Sequence, residues 1–235
     1  MGSCTSSSAH LSLLAVAVSN PHHPSDSDDT ASREHVPIVE LRLLILDALL
    51  LQGHSTADAA IIADTIMYAE LRGNNQGIIK LVTGSLNPSK KRITNEVSIV
   101  YESKISANIN GNNCPGMALL HLCVEKAMAK CREHGMSIVG CSGYASPSGA
   151  LGCWARRLAQ EGYIAIVMSQ CPEYVSPHGS YEPLLGTNPI AFGIPVNAQT
   201  LTGPIVLDMA TSAIAYCKYS YTYTYVRTQS LPNLC

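Results

Sequence analysis

At 235 residues and 25.0 kDa the chain suffices for one ordinary domain, or one and part of another, with a sizeable core. Apolar residues make up 46% and charged residues only 14%, which excludes a disordered chain. A formal net charge of −2 excludes a strongly basic nucleic-acid binder, and no apolar run reaches the roughly 18 residues of a membrane-spanning helix.

Residues 1–35 read as a tail dominated by Ser, His, Pro and Asp, without hydrophobic periodicity. Its start, Met1-Gly2-Ser3-Cys4-Thr5-Ser6, fits an N-myristoylation pattern, and Cys4 is placed to take a second acyl group. One chain binds membranes only marginally, so a membrane association would need both Gly2 and Cys4 acylated. A chance match in a Ser-rich tail is the alternative.

The folded body runs from residue 36 to 215. Apolar residues at helical spacing over 37–51 stop at Gly53. Ser55-Thr56-Ala57-Asp58 starts a second helix, with Ala59, Ile62, Ile66 and Ala69 on one face and an end near Gly73. A short helix over 78–82 follows. Segments 93–101 and 104–110 read as a hairpin. Then come a helix over 116–131 closed by His134-Gly135, a strand over 136–140, a helix over 150–160 and a strand over 163–169. That β-α-β passage predicts a partly parallel sheet carrying helices. Short strands over 190–195 and 205–207 complete an α/β, or mixed α+β, chain. Asp208, Thr211 and Ser212 have the chemistry to cap a helix start. Residues 216–235 are tyrosine-rich, with no apolar face, and read as a non-homologous ending.

Nine cysteines form no C-x-x-C pair, so they read as small buried hydrophobes and no metal site is expected. P-loop, G-x-G-x-x-G and nucleophile-elbow motifs are absent. His54 and His134 read as solvated or capping residues, and His121 as packed. His178, on a Gly- and Pro-rich loop, is the best histidine candidate for a site.

Three segments carry turn chemistry beyond that of simple connections. They are Gly73-Asn74-Asn75-Gln76-Gly77, Gly186-Thr187-Asn188-Pro189 and Asp208-Met209-Ala210-Thr211-Ser212. Within LRGNNQGIIKL, YEPLLGTNPIAFGIP and IVLDMATSAIA, in that order, they resemble the malate/L-lactate dehydrogenase family, the non-Rossmann group that includes ureidoglycolate and sulfolactate dehydrogenases. The likeness runs from about Val36 to about Lys218.

The resemblance implies a homodimeric, cytoplasmic oxidoreductase with a non-Rossmann α/β fold. Such enzymes move a hydride between NAD or NADP and a small 2-oxo or 2-hydroxy acid. Carried over by position, the catalytic residues are Gln76 and Lys218. Gln76 stands where the family has a histidine, and glutamine does not titrate near neutral pH. Lys80 stands where an arginine holds the substrate carboxylate; it keeps the charge without the bidentate fork. Thr187, Tyr216 and Cys217 fall at substrate contacts. Pro147, Ser148, Gly149, Ala150 and Leu151, opening a helix suited to a phosphate, fall on the cofactor loop, and Asp208, Met209 and Ala210 on a second cofactor contact. Family members continue past the DMATS segment, so the fold is expected to be incomplete. An inactive isoform that binds cofactor or a full-length subunit, or a lipid-anchored regulatory protein, are the alternatives.

Overall fold

The computed structural model describes residues 35–74, 76–90, 96–197 and 203–212. The tail, residues 213–235 and therefore Tyr216, Cys217 and Lys218 lie outside the described residues, as do Gly2 and Cys4.

Helix α1 (Ile38–Leu51) follows Pro37, whose fixed φ suits a helix start. Helix α2 (Thr56–Glu70) begins where Ser55 Oγ accepts the Asp58 N–H at 3.1 Å. The expected face of α2 is the buried one: Ala59, Ile62, Ile66 and Ala69 are sealed from solvent. His54 is buried rather than solvated, because its ring N–H donates to the Leu86 carbonyl at 2.7 Å. The short helix α3 (Ile79–Val82) follows.

Strands β1 (Ser98–Glu102) and β2 (Ser106–Cys114) pair antiparallel, as the hairpin reading expects. Strand β2 runs past Asn110 to Cys114 through a bulge, where Asn112 and Asn113 adopt φ of 48° and 61°. Helix α4 (Gly116–His134) ends at Gly135, whose φ of 81° lets its N–H reach the Cys131 carbonyl at 2.8 Å. Strand β3 (Ile138–Tyr144) then lies parallel to β2.

Helix α5 (Leu151–Gln160) leads to β4 (Ala165–Met168), β5 (Ile190–Ile194) and β6 (Ile205–Met209). These three strands form a separate antiparallel sheet in the order β4-β5-β6. The parallel pair therefore sits one crossover earlier than expected, across α4, while β3 and β4 belong to different sheets. Segment 208–212 starts no helix, because Asp208 and Met209 complete β6.

The main core is built from α1, α2, α4 and α5 with Ala191 of β5. A smaller core of Ile109, Cys114, Leu119 and Cys123 lies between α4 and the first sheet. Helix α5 lies so close to β5 that a side chain on Gly193 would meet the Ala155 carbonyl. The opposite face of this sheet is uncovered: Ile166, Met168, Ile194, Ile205, Leu207 and Met209 are exposed. No helix among the described residues is long and apolar enough to cross a membrane.

Candidate active site

Two of the nominated segments meet at the start of α5. The Gly152 N–H donates to Asp208 Oδ2 at 2.7 Å, joining residues 56 positions apart. The approach is close: a Cβ on Gly152 would sit 3.0 Å from Asp208 Oδ2 and 3.0 Å from the Tyr68 hydroxyl. Desolvation holds the Asp208 carboxyl above the ordinary carboxylate range, and the Gly152 hydrogen bond pulls it partly back. Burial likewise raises the Tyr68 phenol, against the Arg72 guanidinium stacked 3.8 Å from its ring centre. A neutral hydroxyl donor thus stands beside an acceptor carboxylate.

The loop before α5 is rigidly held. Ser146 Oγ accepts the Gly116 N–H at 2.9 Å, and the Trp154 indole donates to the Ser148 carbonyl at 3.0 Å. Gly149 has φ of 75°, and a Cβ there would lie 2.6 Å from Thr65 Cγ2. Leu151 is buried, and so is Ala150, the residue that precedes the helix. The helix end itself is not open to an anion. Asp208 takes the Gly152 N–H, and the Cys153 N–H turns back to the Ala150 carbonyl at 3.1 Å. A phosphate placed there would meet a carboxylate.

The second junction joins the Thr187 turn to the end of β6. Thr211 donates from its N–H to the Thr187 carbonyl at 3.0 Å and from its hydroxyl to the Asn188 carbonyl at 3.0 Å. Asn188 adopts φ of 35°. Thr187 is buried, its hydroxyl in contact with Cys171 Sγ at 2.9 Å and its N–H donating to the same sulfur at 3.1 Å. The turn is thus fixed by a residue that sequence reading did not single out, Cys171.

Gln76 and Lys80 are set by the end of α2. The Glu70 carboxylate accepts the Ile78 N–H at 2.9 Å and lies where a side chain on Gly77 would point. Asn74 Oδ1 accepts the Gln76 N–H at 2.9 Å. Lys80 on α3 is 8% exposed, a buried cation. His178 stands exposed on the loop closed by the Val175–Leu185 bridge.

Helices α2, α4 and α5 enclose a groove of about 410 Å³. Tyr68, His121, Cys153, Arg156 and Arg157 line it. His121 is half-buried, and its Nδ1 meets the Arg157 guanidinium at 2.6 Å. Burial first, and Arg157 second, hold its pKa below the ordinary histidine value. Burial pushes the Cys153 thiol up to about 11. Tyr68 escaped sequence reading because its partners, Gly152 and Asp208, lie far along the chain. The spacing of Tyr68 and Arg72, one helical turn apart, was the available signal.

A family model described as malate/L-lactate dehydrogenase matches residues 36–224. A malate dehydrogenase of Pyrococcus abyssi is 30% identical over 187 residues, covering 76% of this chain and 49% of its own length. A ureidoglycolate dehydrogenase (NAD(+)) of Escherichia coli K12 is 29% identical over 181 residues, 76% of this chain and 51% of its own. The crystal structure of malate dehydrogenase from Entamoeba histolytica superposes with a TM-score of 0.72 at 28% identity, over 85% of this chain and 55% of that one. The chain spans about half the length of the curated relatives it matches.

Proposed function

The chain belongs to the malate/L-lactate dehydrogenase family and shares its mixed α/β fold, and from that premise we propose an oxidoreductase acting on a small 2-oxo or 2-hydroxy acid. The carrying observation is the convergence of the segments 147–151 and 208–210, joined by the Gly152–Asp208 hydrogen bond. The residues fit a nicotinamide dinucleotide in a specific way. The Asp208 carboxylate accepts hydrogen bonds, so it suits a ribose hydroxyl or a carboxamide N–H and repels a phosphate. When bound, the dinucleotide supplies or takes up the hydride.

Each nominated residue then has a task of its own. Lys80 holds the substrate carboxylate by charge. Gln76 donates a hydrogen bond to the substrate carbonyl, and Lys218 handles the proton that glutamine cannot. Pro147, Ser148, Gly149, Ala150 and Leu151, with Met209 and Ala210, form the cofactor's wall. Thr187, Tyr216 and Cys217 face the substrate, Thr187 through the turn it shapes, since its hydroxyl already contacts Cys171. A homodimer in the cytoplasm completes the reading, with Gly2 and Cys4 acylation as its membrane-bound alternative. Residues 1–35 then remain a tail outside the 36–215 body, and 216–235 a separate ending.

Thermal unfolding of the full chain with NADH or NADPH tests the first half of the proposal. A ligand at a hundred times its Kd stabilises by about 2.7 kcal/mol, which raises the midpoint by several degrees. Oxidation of the stabilising cofactor with a panel of 2-oxo acids tests the second. No shift with either cofactor overturns the proposal. A shift without turnover reduces it to cofactor binding.

A further inference from the structure

Three of the chain's cysteines gather where the reaction has no use for them. Cys114 ends β2, Cys123 lies on α4 and Cys141 on β3. Cys114 and Cys123 belong to the small core between α4 and the first sheet, and Cys141 packs against it. The Cys123 and Cys141 thiols hydrogen-bond to each other, although all three are free thiols.

The geometry points to a redox modification site: Cys123 and Cys141 form a reversible disulfide when the chain meets a peroxide.

The two thiols are not equivalent. Cys123 is buried at 8% exposure, while Cys141 is half-buried on its strand. The hydrogen bond from Cys123 holds the Cys141 thiol below its ordinary pKa, and the same contact, with burial, drives Cys123 far above it. Cys141 is therefore the thiolate that reacts first. Its sulfur attacks one oxygen of hydrogen peroxide and breaks the O–O bond. The released hydroxide takes up a proton and leaves as water, and Cys141 becomes a sulfenic acid. Cys123 then attacks the Cys141 sulfur. The S–O bond breaks, the Cys123 proton joins the departing hydroxide as a second water, and the S–S bond forms. Two thiols have lost two electrons in all, and the peroxide has gained them. A dithiol such as dithiothreitol reverses the process by exchange.

Cys114 has a different place. A Cβ on Gly111 would lie 2.8 Å from Cys114 Sγ and 2.8 Å from Leu119 Cδ2. That bare glycine gives the Cys114 sulfur its space against Leu119. Its charge interaction with Cys123 is the least of those acting on that thiol. It is a neighbour of the pair rather than a member.

The test uses the full chain, folded, with stoichiometric hydrogen peroxide. Trypsin leaves Cys114 and Cys123 in one peptide and Cys141 and Cys153 in another. The Cys114→Ser/Cys153→Ser variant therefore makes the assignment unambiguous. In it, a Cys123–Cys141 cross-linked peptide, two hydrogens lighter than the free pair, is expected before reduction and absent after dithiothreitol. In Cys123→Ser a dimedone adduct is expected on Cys141, because the sulfenic acid has lost its resolving partner. A cross-link formed only in denaturant, or a dimedone adduct mainly on Cys131 or Cys171, overturns the proposal. Circular dichroism of each variant shows that the fold is kept. Should Cys123→Ser unfold, Cys123→Ala at the same buried position serves in its place. None of these readouts depends on the dehydrogenase reading.

Discussion

The Thr211 hydroxyl donates to the carbonyls of Thr187 and Asn188, at 3.2 and 3.0 Å, and so clamps the turn before β5 to the end of β6. One side chain thereby joins two motifs that lie 24 positions apart, and each motif is a candidate for a different ligand. Thr211→Val keeps the shape and removes the donor. Thr211 is exposed, so water replaces part of the loss and the expected cost is about 1 kcal/mol. The midpoint should fall by about 2–4 °C, while Thr211→Ser stays close to wild type. Differential scanning calorimetry of the two variants checks both values, and a serine variant as weak as valine would show that packing, not the hydroxyl, matters.

Asp208→Ala leaves the Gly152 N–H without its acceptor. A lost helix cap costs typically about 1 kcal/mol, and Asp208→Asn, which retains an acceptor oxygen, should recover most of it. Cofactor-induced stabilisation should disappear in the alanine variant and weaken in asparagine, since the charge that favours a donor is gone. Thermal shift with the stabilising nicotinamide cofactor separates the two effects; equal shifts in all three proteins would remove Asp208 from the cofactor site.

His54→Phe fills the same buried space but leaves the Leu86 carbonyl unpaired. An unsatisfied buried acceptor costs about 1–3 kcal/mol. Urea unfolding should show a lower midpoint with an unchanged slope.

His121 gives the chain a pH dependence of known sign. Its folded pKa lies below the unfolded value of about 6.5, because burial and Arg157 disfavour the proton. The unfolded chain then binds more protons, so stability rises with pH. This contribution is fully present above about pH 6.5 and is lost as pH falls from there through the folded pKa. His121→Gln should flatten that segment of a stability–pH curve measured between pH 5 and 8. A slope identical to wild type would assign the dependence to other groups.

Local signals in the sequence placed most elements correctly. Ser55 marked the start of α2 and Gly135 the end of α4, because caps are chemistry within one turn. The division into two sheets was not legible. Strands β3 and β4 look alike in hydrophobic pattern, and nothing local says which neighbour each will choose. Asp208 shows how a correct chemical reading can be misplaced. Its carboxylate does cap a helix, but the helix is α5, 56 positions earlier, and not one that it begins. The site followed the same division. The turns were visible as Gly, Asn and Pro clusters, whereas Tyr68 and Cys171 joined it through contacts that exist only after folding.

The uncovered face of the β4-β5-β6 sheet changes what a melting temperature means for this chain. Ile166, Met168, Ile205, Leu207 and Met209 face water while the fold that displays them is intact. Whatever shields such a surface binds the native state and not the unfolded chain, and mass action then shifts the equilibrium. The midpoint is therefore a property of the solution as much as of the sequence. It should move with protein concentration and with any amphiphile present, so values taken at one dilution do not transfer to another.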